Sequence, residues 1–144
     1  MDQRRVLVVD DDPSVRKMLA GVFRQKSLNV DEAEDGETAA RLLRAHTYSV
    51  VLLDLLMPNV NGFQVLDVMM NVRSSAVVLV VTGAPREVID ELDAERIHGI
   101  IRKPFDPEEV ASIVAACTEI RARNLLGTMA VAFASAQLLS LLNQ

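Results

Sequence analysis

The chain contains little cysteine and no long apolar run near its start, and each absence excludes a class of protein. Among 144 residues there is 1 cysteine, so a disulfide within the chain is impossible and a cysteine-based metal cluster is not expected. The apolar run closest to the start, Val6–Val9, is too short for the core of a signal peptide. We therefore expect the protein in the reducing cytoplasm.

Basic residues are also fewer than acidic ones. The chain has 15 Lys and Arg against 20 Asp and Glu, a net charge of -5, which argues against a nucleic-acid-binding surface. The 2 histidines, His46 and His98, are far apart in sequence, so we expect surface or helix-end residues rather than metal ligands. Hydrophobic residues make up 50% of the chain, enough for the core of a single folded domain.

Short segments typical of strands, most of them apolar runs and one, Leu28–Glu32, with only weak alternation, alternate five times with segments of helical periodicity. The runs predicted as strands are Val6–Val9, Leu28–Glu32, Tyr48–Leu53, Val77–Val81 and Ile100–Ile101. The segments predicted as helices are Val15–Phe23, Glu37–Ala45, Phe63–Val72, Arg86–Arg96 and Pro107–Arg123. Runs that are apolar throughout are typical of strands buried on both faces. The alternation therefore predicts an α/β fold with a five-stranded, doubly wound parallel sheet.

The most informative stretch is Val50–Gly62, in which four apolar residues lead into Asp54 and then into turn-forming residues. In open α/β sheets, ligands bind at the edge formed by the carboxyl ends of the strands. Asp54 is predicted at that edge. Taken alone, it is equally well interpreted as the cap of the following segment.

Four more polar residues follow predicted strands, namely Asp10, Asp11, Thr82 and Lys103. The acidic run Asp10–Asp12 by itself also suits a helix cap in a solvated turn. A third acid at another strand end, joined by threonine and lysine at two more, favours a binding site instead. Three carboxylates on one edge need a counter-charge, and Mg²⁺ suits a site with few carboxylates and several waters.

This set of residues suits phosphoryl transfer, which depends on positioning and on neutralising charge. Asp54 can act as a covalent nucleophile and form an aspartyl-phosphate. Lys103 can neutralise one phosphoryl oxygen, and Thr82 can donate a hydrogen bond to another. Gly83 has no side chain and leaves the site accessible.

Four motifs, in this order and at this spacing, resemble the response-regulator receiver domains of two-component signalling. They are VVDDD (Val8–Asp12), LLDLLMPNVNGF (Leu52–Phe63), VTG (Val81–Gly83) and KPF (Lys103–Phe105). The resemblance covers residues 4 to about 122. It implies a flavodoxin-like fold with the strand order 2-1-3-4-5.

The resemblance also implies a phosphorelay function. Asp54 would be the phosphoacceptor, with Thr82 and Lys103 in their usual roles beside it. The phosphoryl group would come from a histidine kinase or a phosphotransfer protein. Such a chain would be a signalling domain rather than an enzyme, catalysing only its own phosphorylation and dephosphorylation.

The metal ligands implied by the resemblance come from the same edge of the sheet. Asp11 would bind Mg²⁺ directly and Asp10 mostly through water, with Asp54 and the backbone carbonyl of Leu56 as further ligands. Asp12 falls where the family varies and is given no ligand role.

Two positions depart from the common family pattern. Ile100 stands three residues before Lys103, where the family usually has tyrosine or phenylalanine, so the aromatic rotamer change that accompanies movement of Thr82 has no aromatic ring here. Leu56 is apolar at a position where polar residues help to orient the hydrolytic water, so slower loss of the phosphoryl group is expected. Haloacid-dehalogenase-like phosphatases need an acid at that position, two residues after Asp54, which makes this enzyme the weaker alternative.

Residues 124–144 contain no charged residue and lie outside the receiver pattern, which we assign to residues 1–123. This tail is too short for a helix-turn-helix module, so we expect signalling through contacts with an unknown downstream protein and no DNA-binding output domain. It could anchor the receiver in a membrane, fold back onto the domain, or continue the last helix. We favour a helical tail that forms a homodimer, with contacts expected at Leu126, Met129, Phe133 and Leu138.

Overall fold

Five parallel strands form a sheet in the order β2-β1-β3-β4-β5 in the computed structural model, which describes residues 4–57 and 61–122. The strands are β1 (Arg5–Val9), β2 (Asn29–Ala33), β3 (Val50–Leu53), β4 (Val77–Thr82) and β5 (Gly99–Arg102). The helices of the described residues are α1 (Pro13–Gln25), α2 (Gly36–Ala45), α3 (Gly62–Asn71), α4 (Arg86–Ile89) and α5 (Pro107–Ala122). The predicted fold class, parallel sheet and strand order are confirmed.

The sheet separates two apolar cores. On one face, α1 and α5 cover a core that includes Val6, Phe23 and Val114. On the other face, α2 and α3 cover a core that includes Leu7 and Leu66. Successive side chains of a strand point to opposite faces, so neighbours in β1 enter different cores. Every residue of β3 and β4 is buried, which explains why these strands are apolar except for Thr82 at the end of β4.

The register of the strands brings their carboxyl ends to one edge of the sheet. The last residues of β1 and β3 pair with each other, so Asp10 and Asp54, which follow them, are neighbours. At the end of β4, Thr82 pairs with Arg102 of β5, and Lys103 comes next. The residues predicted at strand ends are therefore adjacent on one edge.

The fourth helix is much shorter than helical periodicity predicts. A helix over Arg86–Arg96 was expected, but α4 ends at Ile89, so this prediction is wrong beyond that residue. Pro85, the N-cap residue of α4, has no side chain that could cap the helix by a hydrogen bond. Further on, the carboxylate of Asp93 accepts a hydrogen bond from the N–H of Glu95 at 2.9 Å, a local bond that competes with helix formation. The other predicted bounds differ from the observed ones by up to two residues.

Side chains hold the segment between α4 and β5. The Nη2 atom of Arg96 donates to Oδ1 of Asp67 in α3 at 2.8 Å. The N–H of His98 donates to the carbonyl of Val78, and its Nδ1 accepts from the N–H of Val78 at 2.8 Å.

His46 is exposed at the end of α2, as expected. The same expectation is wrong for His98, which is half-buried and leads into β5.

The predicted helical tail, residues 124–144, lies outside the described residues, together with Arg123 and the predicted dimer contacts Leu126, Met129, Phe133 and Leu138. Within residues 4–57 and 61–122, we find no helix that is both long enough and apolar enough to cross a bilayer.

Gly62 opens α3 at a point where the helix passes very close to the backbone that follows β3. Its N–H donates to the carbonyl of Leu55 at 3.2 Å. A Cβ atom at Gly62 would lie 2.5 Å from the carbonyl oxygen of Asp54 and 2.8 Å from Cα of Leu55. Both neighbours are backbone atoms that cannot rotate away, so this approach requires glycine.

We expect Gly62→Ala to lower the free energy of unfolding by about 1–3 kcal/mol, because the added methyl group overlaps the backbone. The matched control is Gly21→Ala in α1, where a Cβ would meet no atom within 4 Å. That control should raise the free energy of unfolding by roughly 0.5–1 kcal/mol, since alanine loses less conformational entropy in a helix. Urea unfolding followed by circular dichroism measures both changes, and equal effects would contradict the close contact at Gly62.

The thiol of Cys117 should be protected from alkylation in the folded protein. It belongs to α5 and is buried in the core between α5 and the sheet, and this burial raises its pKa to about 11. Because the thiolate is the reactive form, we expect iodoacetamide at pH 8 to react roughly 100-fold more slowly with native than with urea-unfolded protein. Intact mass over time measures both rates. Similar rates would show that α5 does not pack its Cys117 side against the core.

Candidate functional site

Three carboxylates converge at the carboxyl edge of the sheet. Asp10 and Asp11 follow β1, and Asp54 follows β3. One potential ligand oxygen from each lies within 4.8 Å of the others. Asp10 is 2% exposed and Asp54 is 6% exposed, while Asp11 is open to solvent. The cluster therefore has a buried interior and one carboxylate that faces water.

Lys103 reaches this cluster from the loop after β5. Its Nζ donates to Oδ2 of Asp10 at 2.7 Å and to Oδ2 of Asp54 at 3.1 Å. The ammonium group is thus shared by the two buried acids. One ammonium does not balance three carboxylates, so negative charge is in excess here.

The pKa shifts in the cluster have separate physical causes. Burial raises the pKa of Asp10, and the charge of Asp54 adds to this, against smaller opposing effects of Lys103 and the Asp12 N–H. Burial by itself would lower the pKa of Lys103. The hydrogen bond to Asp10 and the charges of both acids outweigh burial, so the pKa of Lys103 is raised. Lys103 therefore remains positively charged at neutral pH.

Two other donors contact Asp54. The hydroxyl of Thr82, which is fully buried, donates to Oδ1 of Asp54 at 2.9 Å. The backbone N–H of Leu56 donates to the same oxygen at 3.2 Å. With Lys103 at Oδ2, both oxygens of the carboxylate accept hydrogen bonds. Leu56 thus contributes an N–H to the site, and the metal-ligand role of its carbonyl stays a prediction.

Asp12 belongs to the start of α1 rather than to the carboxylate cluster. Its Oδ1 accepts from the N–H of Ser14 at 2.9 Å and caps the helix. Its own N–H donates to Oδ1 of Asp10 at 2.9 Å. The capping interpretation of the acidic run therefore holds for its third member.

Arg16 contacts the backbone of the site through its side chain. The sequence analysis did not predict this role. Its Nη1 donates to the carbonyl of Asp10 at 2.9 Å, and its Nε lies 3.4 Å from Oε1 of Glu32. These contacts join α1, the end of β1 and the edge strand β2. Periodicity marks Arg16 only as a polar helix position, so the sequence offered no signal for this contact.

The donor set fits a hard divalent cation. Carboxylate oxygens, completed by water, are the ligands that Mg²⁺ prefers in proteins. The exposed carboxylate of Asp11 gives access from solvent, and the excess negative charge of the cluster favours a cation. Asp10, Asp11 and Asp54 are therefore the residues that could hold Mg²⁺.

Comparison with known families agrees with the geometry. The family model described as response regulator receiver domain matches residues 6–115. The DNA-binding response regulator MtrA of Mycolicibacterium smegmatis is 35% identical over 116 residues, which cover 79% of this chain and 50% of MtrA. The transcriptional regulatory protein ResD of Bacillus subtilis is 30% identical over 123 residues, 80% of this chain and 48% of ResD. The chain thus spans about half the length of these curated relatives.

Solved structures show the same fold. The response regulator TrrA of Thermotoga maritima, in complex with Mg(2+)-BeF, has a TM-score of 0.70 and 26% identity over 79% of this chain and 98% of that one. The Vibrio cholerae chemotaxis protein CheY4 has a TM-score of 0.68 and 29% identity over 75% of this chain and 92% of that one. Since the family model spans most of the sequence, the chain belongs to the response regulator receiver domain family, the receivers of two-component signalling systems.

Proposed function

We propose that this chain accepts a phosphoryl group on Asp54 from a histidine kinase or phosphotransfer protein, in the presence of Mg²⁺, and signals in the cytoplasm through protein contacts. One observation carries the proposal. The buried carboxylate of Asp54 contacts both a threonine hydroxyl and a lysine ammonium, within a cluster of three acids.

The transfer step uses the Asp54 carboxylate as the nucleophile. One of its oxygens forms a bond to phosphorus while the bond between phosphorus and the donor histidine nitrogen breaks, and that nitrogen keeps the electron pair. The buried position at a strand end fixes the carboxylate, which lowers the cost of orienting it for attack. The exposed edge next to Asp11 leaves room for the donor.

Lys103 and Thr82 neutralise and orient the group formed on Asp54. Both already donate to the Asp54 carboxylate, at 3.1 and 2.9 Å. Each is therefore close enough to donate to a phosphoryl oxygen attached there. Donors that already lie beside the carboxylate need only a small displacement to stabilise the developing charge.

Asp10, Asp11, Asp54 and the carbonyl of Leu56 would hold Mg²⁺. The bound ion would offset the charge of the acids and of the incoming phosphoryl group.

Leu56 is expected to prolong the phosphorylated state. Its side chain is 51% exposed beside the site and has no polar atom that could orient an attacking water. The same residue weakens the phosphatase alternative, because the second acid that such an enzyme needs is absent at this position. Turnover of a generic phosphate ester by the wild-type chain would favour the phosphatase.

We expect acetyl phosphate with Mg²⁺ to add one phosphoryl group to the wild-type chain, detected by intact mass. Asp54→Asn should abolish the addition, because the amide is a poor nucleophile. The matched control Asp12→Asn removes the same charge but keeps a good helix cap, and it should be labelled normally. Excess chelator should suppress labelling of the wild type, since the uncompensated carboxylates repel phosphate. Labelling of the Asp54→Asn chain, or labelling unaffected by chelator, would contradict the proposal.

We also propose that residues 124–144 form a helical segment through which two copies associate. Support comes from composition, because this stretch is apolar and contains no charged residue, and a long exposed apolar surface needs a partner.

Light scattering should therefore give a dimer mass for the full chain and a monomer mass for a chain that ends after Arg123. A matched variant with Leu126, Met129, Phe133 and Leu138 changed to serine should also be monomeric. A monomeric full chain would argue against dimerisation through the tail. Retention of the full chain in the membrane fraction without detergent would favour a membrane anchor instead.

A further inference from the structure

A chain of hydrogen bonds links Asp54 to the surface of the protein. The hydroxyl of Thr82 donates to Oδ1 of Asp54 at 2.9 Å. The same hydroxyl oxygen accepts from the N–H of Ala84 at 3.1 Å. The carbonyl of Ala84 accepts from Nη1 of Arg102 at 2.9 Å. Three bonds thus separate the carboxylate from a guanidinium group.

Arg102 lies where its side chain can contact the loop that follows β4, residues Thr82–Ala84. It is the last residue of β5, it pairs with Thr82 in the sheet, and it is exposed. The next residue, Lys103, donates its backbone N–H to the carbonyl of Thr82 at 3.1 Å. The loop is therefore tied to β5 at two points, one in the backbone and one through the side chain of Arg102. Ile100, on the same strand, has no polar side-chain atom that could make such a tie.

Ala84 is well suited to transmit a displacement. It is fully buried and precedes Pro85, which restricts its backbone to extended conformations. A displacement of its N–H therefore also displaces its carbonyl, because the backbone dihedral angles of Ala84 cannot change freely. Gly83, by contrast, is exposed, and a Cβ there would meet only Cβ of Lys103 at 3.9 Å. The flexible point of the loop thus lies between Thr82 and the stiff Ala84–Pro85 unit.

We propose that Arg102 is a positioning residue that holds the Thr82–Ala84 loop in its unphosphorylated geometry and releases the Ala84 carbonyl when Asp54 is phosphorylated. This inference depends on the proposed function, because it requires phosphorylation of Asp54.

The physical reason is the movement of charge at Asp54. In the acyl phosphate, one carboxyl oxygen bridges to phosphorus, the other becomes a carbonyl oxygen, and the negative charge lies on the phosphoryl oxygens. A hydroxyl donor binds a charged oxygen more strongly than a neutral one, so the Thr82 hydroxyl turns towards the phosphoryl group. The N–H of Ala84 follows, and its carbonyl moves away from Arg102. A bond made in only one state stabilises that state, so the Arg102 bond opposes phosphorylation.

The first test needs no substitution. In ¹⁵N-labelled wild type, the guanidinium signals of Arg102 should shift when acetyl phosphate and Mg²⁺ are added, and its N–H protons should exchange faster. The guanidinium signals of Arg5, which is bonded to Asp31 at the opposite end of β1 from the site, should not change. Unchanged Arg102 signals in a chain that mass spectrometry shows to be phosphorylated would overturn the inference.

The second test compares variants by the rate of phosphorylation from acetyl phosphate. Arg102→Met removes the donor but keeps the length of the side chain, and it should raise the rate constant at saturating acetyl phosphate by about 3- to 10-fold. The half-saturating concentration should not change. Arg102→Lys, which keeps a donor, should restore a rate near that of the wild type. Arg86→Met removes the same charge from α4, close to the loop, and should have no effect.

The outcomes separate this inference from the proposed function. A wild-type chain that gains no phosphoryl group on Asp54 would contradict both. Normal labelling with equal rates for wild type, Arg102→Met and Arg86→Met would contradict the inference alone, as would equal acceleration by both arginine substitutions. Circular dichroism and urea unfolding of each variant exclude loss of fold as a cause of a changed rate.

Discussion

The ion pair between Lys103 and the two buried acids, Asp10 and Asp54, is the interaction on which the site depends. Carboxylates that are almost completely buried are costly unless a positive charge compensates them. Lys103, which follows the outer strand β5, supplies that positive charge. Its raised pKa keeps the ammonium group protonated. The same arrangement leaves negative charge uncompensated at Asp11, so the site is stable as it stands and still attracts a cation.

The sheet makes this ion pair possible by bringing residues from distant parts of the chain together. The acids follow β1 and β3, which are neighbours, and Lys103 follows β5 at one side of the sheet. Because all strands run in the same direction, their ends lie on one edge whatever the lengths of the connecting helices. Burial of both faces fixes the ends of the strands, so the fold sets the backbone positions from which the donors reach Asp54.

The sequence was informative where a pattern had only one physical solution. Uninterrupted apolar runs required buried parallel strands, and parallel strands required the polar residues after them to meet on one edge. The length of α4 could not be predicted, because Asp93 and the Arg96–Asp67 pair stabilise a non-helical path through contacts that periodicity does not encode. Arg16 and Arg102 were missed for a related reason, since each donates to a backbone carbonyl elsewhere in the chain and such contacts leave no sequence pattern. Gly62 stood out as a turn residue, but its close contact with the backbone of Asp54 could not be predicted.

The close approach of Gly62 to the backbone of Asp54 also makes the packing around Asp54 different on its two sides. On that side, the start of α3 lies against the carbonyl oxygen of Asp54 with no space for a methyl group, so close backbone contact opposes a displacement of Asp54 towards α3. On the opposite side, the loop after β4 contains Gly83, which is exposed and where a Cβ would meet only Cβ of Lys103 at 3.9 Å. Movement of atoms at Asp54 is therefore opposed by close packing on the side of α3 and is less constrained on the side of β4 and β5. Displacements caused at the site should spread across the sheet in that one direction.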